Sequence, residues 1–168
     1  TIGHGLIPTN DFGPLISETQ RERVMSYIQL GQDEGAELVT GGETIGDKGF
    51  FVKPTIFSNV KGDMRIAKEE IFGPVLCAQP FENEDLETIA HQANDTSYGL
   101  SGSVWTQDIS IAHKMAMLID AGQVSINCHA AVDPAIPFGG NKQSGWGREF
   151  GKEGLEPYLK TKATSVIF

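Results

Sequence analysis

The chain has 168 residues, of which 39% are apolar and 21% are charged, and its formal net charge is −9. These proportions are typical of a soluble globular protein, and the acidic balance without a Lys/Arg cluster excludes the basic footprint of a nucleic-acid-binding protein. The apolar runs last only a few residues, so no segment is predicted to span a membrane. Two cysteines, Cys77 and Cys128, without a CxxC pairing or a visible secretory signal, predict a reducing compartment and a cytoplasmic location.

A helix is the first predicted element, after a turn-rich stretch over 1–16. Ser17 and Gln20 have the spacing of a capping box, in which hydroxyl and amide each satisfy a free backbone donor. Apolar positions such as Ile28 recur at helical spacing, and Gly35 is a suitable stop. Short strands are then predicted over 37–40, 50–52, 55–60 and 75–81, with a polar turn over 43–49 and a helical turn plus loop over 61–74.

Strands and helices alternate through the middle of the chain. Asn83 and Asp108 are predicted to cap two helices, which end near Asn94 and Gly122. The segments 102–106 and 123–127 are predicted strands, and 95–100 is a predicted loop. Because each helix connects two short apolar strands, parallel pairing through right-handed crossovers is expected. The predicted fold class is α/β, with a parallel twisted sheet and helical crossovers.

A helical turn near 152–159 and an apolar strand near 163–168 close the chain. The strand ends in Val166, Ile167 and Phe168. A terminal apolar strand needs a partner edge, either in the same domain or in another subunit. The sequence therefore predicts pairing of this strand.

A glycine-rich loop over 137–149 is the most informative stretch of the sequence. It contains four glycines and two large aromatic residues, Phe138 and Trp146. No regular helix or strand tolerates that density of glycine, whereas a loop that passes close to another group does. The loop follows strand 123–127, and ligands of parallel α/β folds lie beyond the carboxyl ends of the strands. It therefore predicts a binding site.

Two adjacent carboxylates, Glu69 and Glu70, precede a Phe72-Gly73-Pro74 turn. They have two interpretations: solvated charges at a helix end, or part of a site. In extended backbone Glu70 and Phe72 share a face. A carboxylate beside an aromatic ring suits a ribose, because the carboxylate accepts both hydroxyl protons while the ring packs against the attached base.

Other catalytic patterns are weak. Cys128, His129 and Asp133 have the residue types of a thiol–imidazole–carboxylate set, but adjacent side chains on an extended chain point apart. Cys77 lies in an apolar strand, which is typical of an inert core cysteine. The four histidines have no metal-ligand spacing, so no metal is predicted.

Four spaced motifs resemble the C-terminal third of NAD(P)-dependent aldehyde dehydrogenases. They lie at 67–75 (AKEEIFGPV), 94–101, 122–127 and 137–149, and the resemblance covers essentially the whole chain. It implies oxidation of an aldehyde to a carboxylic acid with NAD or NADP, through a thioester on a cysteine that a glutamate-activated water then hydrolyses.

The resemblance also implies a missing part. In the family the nucleophilic cysteine, its glutamate base, the oxyanion-hole asparagine and the cofactor-binding domain precede this region, and neither Cys77 nor Cys128 lies at the nucleophile's motif. The resemblance therefore implies that the chain lacks the nucleophile and is inactive alone. The start at Thr1, without a methionine, fits either a start within a longer polypeptide or ordinary methionine removal.

By motif position, the resemblance gives roles to individual residues. Cofactor binding is implied for Glu70 at the nicotinamide ribose, Phe72 at the nicotinamide, and Gln20 with Arg23 at the adenosine ribose. The implied substrate pocket contains Phe138 in the aldehyde tunnel with Val132 nearby, Glu149 is implied in a water or proton path, and Arg148 lies near subunit contacts.

Domain and partner predictions also follow from the resemblance. It implies that 1–150 is the C-terminal part of a catalytic domain and that 151–168 is a helix turn with an oligomerisation strand, giving a homodimer or tetramer. The apolar segment 127–135 is similar to members that act on aryl-acetaldehydes, including phenylacetaldehyde dehydrogenases. The rival hypothesis is a non-enzymatic α/β module that associates through its terminal strand.

Overall fold

A computed structural model describes residues 1–82, 85–129 and 131–168, and the chain divides into two compact units, Thr1–Asn83 and Glu84–Phe168. The first unit begins its regular structure with helix α1 (Glu18–Asp33). The Ser17 half of the predicted capping box is confirmed, because its hydroxyl accepts the backbone N–H of Gln20 at 3.2 Å. The reciprocal bond from Ser17 N–H to the Gln20 side chain is not formed among the described residues, and the Gln20 amide donates to the carbonyl of Phe72 instead. Gly35 follows the helix at a φ of 91°, a left-handed conformation that glycine adopts readily.

A three-stranded mixed sheet lies next to α1 in the first unit. The strands of this unit are β1 (Glu37–Thr40), β2 (Thr44–Ile45), β3 (Phe51–Val52), β4 (Thr55–Ser58) and β5 (Val75–Cys77), and the short helix α2 (Arg65–Lys68) lies between β4 and β5. The sheet has the order β1–β4–β5, with β1 antiparallel and β5 parallel to β4. The predicted polar turn over 43–49 is wrong at Thr44–Ile45, because these residues pair with β3.

The core of the first unit lies between α1 and the sheet. Val24, Ile28 and Phe57 are fully buried in it. Gly31 permits the close approach of the helix, because a Cβ at this position would lie 3.1 Å from the Phe57 ring and 3.0 Å from Ile66. The position of α1 is thus set by packing, and so is that of any side chain along its edge.

The second unit contains the predicted alternation of helices and strands. Its elements are α3 (Leu86–Asn94), β6 (Tyr98–Gly99), β7 (Ser101–Val104), α4 (Ile109–Leu118), β8 (Gln123–Ile126), β9 (Asn141–Lys142) and the 3-10 helix Glu153–Tyr158. The predicted parallel pairing across a helix is confirmed for β7 and β8, with α4 between them. The outcome differs for α3: the strand that precedes this helix, β5, has β4 as its parallel neighbour. The α/β fold class is confirmed.

The caps and the loops of this unit differ in how well the sequence predicts them. Asp108 caps α4 as predicted, since its Oδ1 accepts the N–H groups of Ser110 and Ile111. The predicted cap Asn83 lies outside the described residues, and Asp85 is the cap of α3. β6 and β9, which pair antiparallel, fall in segments predicted to be loops.

The C-terminal segment 159–168 carries no regular secondary structure. The predicted strand over 163–168 is not formed within this chain, because it pairs with none of the described strands. Its apolar side chains are exposed, with Ile167 at 97%. None of the helices in the described ranges has the length and apolar character that a bilayer crossing requires.

Candidate functional site

The segment that follows α2 is anchored to one edge of α1. Gln20 Nε2 donates to the backbone carbonyl of Phe72 at 2.8 Å, and Arg23 Nη2 donates to the carbonyl of Glu70 at 2.9 Å. Residues three apart on a helix project from the same side, so both donors reach the same segment. The structure therefore brings together the four predicted cofactor-binding residues. The contacts of Gln20 and Arg23 with an adenosine ribose stay a prediction.

The two adjacent carboxylates have different environments. Glu69 accepts two hydrogen bonds from Arg65, at 2.7 and 2.9 Å, and one from the Tyr27 hydroxyl at 2.7 Å. The Arg65 guanidinium, followed by the Tyr27 hydroxyl, lowers the pKa of Glu69 to about 2. Glu70 is exposed, and its carboxylate meets no hydrogen-bond donor among the described residues. One carboxylate is thus structural, while the other is free to accept.

Phe72, two residues after this free carboxylate, presents an exposed ring. Its backbone has a φ of 59°, which is uncommon for a bulky residue, and 73% of the residue is exposed. The next residue, Gly73, lies against α1: a Cβ there would lie 2.5 Å from a methyl carbon of Val24. Strained backbone that carries an exposed aromatic side chain is more typical of a binding site than of a packed surface.

An open cleft of about 350 Å³ runs along this segment. Its lining includes Glu70, Phe72, Gly73 and Leu76. The free carboxylate can accept hydrogen bonds from a vicinal diol, and the ring can pack against a flat heterocycle attached to it. These two groups suit the ribose and base of a nucleotide, and their role in cofactor binding stays a prediction. The extended backbone from which a shared face was expected is not present at Phe72, whose φ is 59°.

The glycine-rich loop of the second unit is closed on itself. Phe138 and Glu149 exchange two backbone hydrogen bonds, at 2.8 and 2.7 Å. Half-buried Arg148 donates to the carbonyls of Gly140 and Gly147, at 2.7 and 2.9 Å, and to the side-chain oxygen of Asn141 at 2.9 Å. Arg148, for which the sequence predicted only nearby subunit contacts, therefore fixes the shape of the loop.

A larger cleft, of about 730 Å³, is lined by this loop. Phe138 and Glu149 both line it, together with Trp146, which is 95% exposed. Val132 is 49% exposed and is not part of that lining. The structure thus brings Phe138 and Glu149 together, and the shared aldehyde pocket of Phe138 and Val132 stays a prediction. So does the water or proton path through Glu149.

Gly122 has a role that its predicted function as a helix stop does not describe. A Cβ at this position would overlap with the carbonyl oxygen of Gly139, so the glycine-rich loop rests directly on the backbone that leads into β8. We expect Gly122→Ala to destabilise the fold by about 1–3 kcal/mol, because the loop must move to make room. Urea unfolding of the complete protein measures this change.

Gly147→Ala is the matched control for that substitution. Gly147 lies in the same loop, and a Cβ there would meet no heavy atom within 4 Å. We expect its unfolding midpoint to stay close to that of the wild type. Equal midpoints for Gly122→Ala and the wild type would contradict the close contact with Gly139.

No hydrogen bond joins a thiol to a histidine among the residues that the structure describes. Burial raises the pKa of the Cys77 thiol, which favours its protonated, unreactive form. The Nδ1 atom of His129 lies 2.8 Å from the Ser103 hydroxyl, so the imidazole next to Cys128 is engaged elsewhere. Within the described ranges, no group of His, Cys, Asp and Glu side chains could hold a metal ion.

Sequence reasoning missed the structural partners of these residues. Arg65 and Glu69 have the i, i+4 spacing of a helical ion pair, a signal that distinguishes Glu69 from Glu70. The helical spacing of apolar residues does not indicate that the Tyr27 hydroxyl reaches Glu69. Nothing local in the sequence indicates that Gln20 and Arg23 bind backbone carbonyls about fifty residues away.

The chain is similar to known proteins over nearly its whole length. The family profile described as "Aldehyde dehydrogenase family" matches residues 1–164. The "Putative aldehyde dehydrogenase DhaS" of Bacillus subtilis (strain 168) is 49% identical over 98% of this chain and 33% of that protein. The "Benzaldehyde dehydrogenase, mitochondrial" of Antirrhinum majus is 45% identical over 97% of this chain and 30% of that protein.

Solved structures agree with these relatives. The NAD+ complex of aldehyde dehydrogenase from Bacillus cereus superposes with a TM-score of 0.90 at 47% identity, covering 95% of this chain and 32% of that chain. Apo betaine aldehyde dehydrogenase from Staphylococcus aureus gives a TM-score of 0.91 at 39% identity, over 96% of this chain and 33% of that one. The chain spans about a third of the length of the relatives to which it is similar.

Proposed function

Because the chain belongs to the aldehyde dehydrogenase family, we propose that it is the C-terminal part of an enzyme that oxidises an aldehyde to a carboxylic acid with NAD or NADP. The activity belongs to the complete protein, because the reactive cysteine is supplied by the part of the family sequence outside the matched third. This chain contributes one wall of the cofactor site and one wall of the substrate site.

The observation that carries the proposal is the pairing of a free carboxylate with an exposed ring on an anchored segment. Glu70 accepts from the two hydroxyls of the nicotinamide ribose, and Phe72 packs beside the nicotinamide. Gln20 and Arg23 hold the carbonyls of these residues, so that carboxylate and ring keep a fixed spacing. The dinucleotide, when bound, supplies the acceptor for the hydride that leaves the substrate.

The substrate wall is proposed to favour a flat, apolar aldehyde. Val132 and Ile136 are exposed apolar side chains upstream of the glycine-rich loop, and Phe138 lines the cleft within it. Apolar and aromatic linings suit an aryl or aryl-acetaldehyde substrate. The Antirrhinum majus relative carries the name of a benzaldehyde dehydrogenase, which is in keeping with this choice. Glu149 is proposed to carry water or protons at the same cleft.

Assembly is proposed to use the end of the chain. In this proposal 1–150 belongs to the catalytic domain, and 151–168 joins two or four identical subunits. Segment 163–168 pairs with none of the described strands, and its apolar side chains are exposed. Both observations support a role of this segment in subunit contacts. Addition to the sheet edge of another subunit would satisfy both their backbone groups and their apolar surface.

The experiment that tests the function is an assay of the complete protein with NAD+ and NADP+ in separate reactions. Phenylacetaldehyde, benzaldehyde, acetaldehyde and betaine aldehyde are the substrates. We expect aldehyde-dependent reduction of the cofactor and stoichiometric formation of the acid, with the aryl substrates giving the higher kcat/KM. Absence of reduction with every aldehyde, from a folded and oligomeric protein, would favour the non-enzymatic association module instead.

A further inference from the structure

We propose that Gln123 is a positioning residue that sets the place of the backbone at Ala131 and Val132, and thereby the aldehyde specificity of the enzyme. The inference rests on the proposed function, and it deepens the substrate side of that function. Gln123 is the first residue of β8, so its Cα is fixed by the parallel ladder with β7. The backbone that carries its side-chain amide donor is therefore held in place by strand pairing.

The contact that carries the inference is a single short hydrogen bond. Gln123 Nε2 donates to the carbonyl of Ala131 at 2.7 Å. In the described ranges, no other hydrogen bond is recorded to Ala131 or to Val132. Further along, the Asp133 side chain accepts the N–H of Ala135 at 2.8 Å, which shapes the turn but does not tie it to the sheet. The start of this segment is thus held to β8 by one side chain.

The orientation of the Gln123 amide is determined by this contact. Its Oε1 atom is buried and meets no donor among the described residues. A flipped amide would place this oxygen against the Ala131 carbonyl oxygen, and two acceptors repel each other. One hydrogen bond is therefore gained while one buried acceptor stays unpaired, and such a balance adds little to stability. What the side chain does is fix the carbonyl.

A second contact ties the chain just before this segment to the same pair of strands. The Ser103 hydroxyl, on β7, lies 2.8 Å from His129 Nδ1. Ser103 and Gln123 thus hold positions 129 and 131 from two hydrogen-bonded strands. Because the two anchors share one rigid ladder, the apolar side chain of Val132 has a defined place relative to the sheet.

Gln123→Glu and Gln123→Met in the complete enzyme test the inference. Glu places a carboxylate against the Ala131 carbonyl, whereas Met keeps the length of the side chain without a donor or an unpaired acceptor. We expect the KM for phenylacetaldehyde to rise roughly 3- to 10-fold in both variants, the equivalent of one hydrogen bond. The KM for the cofactor and the kcat for acetaldehyde stay within about twofold of wild type, because small substrates do not need the wall. A merely structural role would not separate KM from kcat in this way.

Gln107→Glu is the matched control, since Gln107 is exposed in the connection between β7 and α4. It introduces the same change of charge as Gln123→Glu. We expect it to leave the KM values for phenylacetaldehyde and for acetaldehyde unaltered. An unchanged ratio of the KM values for phenylacetaldehyde and acetaldehyde in both Gln123 variants of an active enzyme would overturn the inference.

Hydrogen–deuterium exchange separates this inference from the proposed function. Peptides that cover 131–137 should exchange faster in Gln123→Met than in wild type, and peptides that cover α4 should not change. An inactive wild-type protein would overturn the proposed function and with it the specificity role. Faster exchange would still support the anchoring of Ala131, and equal exchange would overturn the anchoring as well.

Discussion

The 168-residue chain by itself is expected to give no aldehyde-dependent reduction of NAD+ or NADP+, under conditions in which the complete protein turns over. Its two cysteines are poor nucleophiles for this reaction. Burial raises the pKa of Cys77, and the histidine next to Cys128 is hydrogen-bonded to Ser103. A raised pKa disfavours the thiolate of Cys77, which is the reactive form of a cysteine. Cofactor absorbance with and without phenylacetaldehyde measures the turnover.

Two controls make that result informative. Circular dichroism should show helix content in the isolated chain in keeping with α1, α3 and α4, so that inactivity is not simply a failure to fold. The complete protein, assayed at the same molar concentration, gives the positive signal. Turnover by the isolated chain would contradict the expectation, and loss of that turnover in Cys128→Ala would then identify the thiol responsible.

Glu70→Gln in the complete enzyme is expected to lower kcat/KM for the cofactor by roughly 10- to 100-fold, the range for losing a charge-assisted hydrogen bond. The amide keeps the shape of the side chain, but it replaces one acceptor oxygen with a donor and removes the charge. Since the carboxylate has no donor among the described residues to lose, the fold should be unaffected. Steady-state and single-turnover kinetics with varied NAD+ measure the change.

Glu69→Gln is the matched control on the adjacent position. Glu69 is bound to Arg65 and Tyr27, so its substitution is expected to weaken those contacts and leave the cofactor kinetics close to wild type. We thus expect slow turnover with normal thermal stability for Glu70→Gln. For Glu69→Gln we expect normal turnover with lowered thermal stability. A normal rate for Glu70→Gln would remove this carboxylate from the site.

Local elements of the fold could be predicted from the sequence because their causes are local. Ser17 and Asp108 cap their helices through donors only two or three residues away, and the capping spacing is visible in the sequence. The pairings β2–β3 and β6–β9 could not be predicted in the same way. Each strand in them has two residues, too few for a periodic pattern, and its partner is chosen by the tertiary arrangement.

The residues of the candidate site could be predicted from the sequence, but the hydrogen bonds that hold them in place could not. Motif resemblance pointed to Glu70 and Phe72, and the structure shows them exposed on one segment. The contacts of Gln20 and Arg23 with that segment join residues 52 and 47 positions apart. Contacts at such separations depend on how the chain folds back, which no local pattern records. The terminal strand over 163–168 was overpredicted for the same reason, since its apolar pattern is local and it pairs with none of the strands in the described ranges.

The contacts of Gln20 and Arg23 with the segment after α2 determine how a substitution in the core would affect the enzyme. The two residues stand one turn apart along the edge of a helix whose neighbouring face, with Val24 and Ile28, is buried in the core, so a small rotation of that helix would tilt the segment that carries acid and ring. A cavity made far inside, for example at Phe57, would then misalign a bound nucleotide without altering any atom that touches it. Such a substitution would be observed in kinetic assays as slow turnover, although its cause is a packing defect in the core.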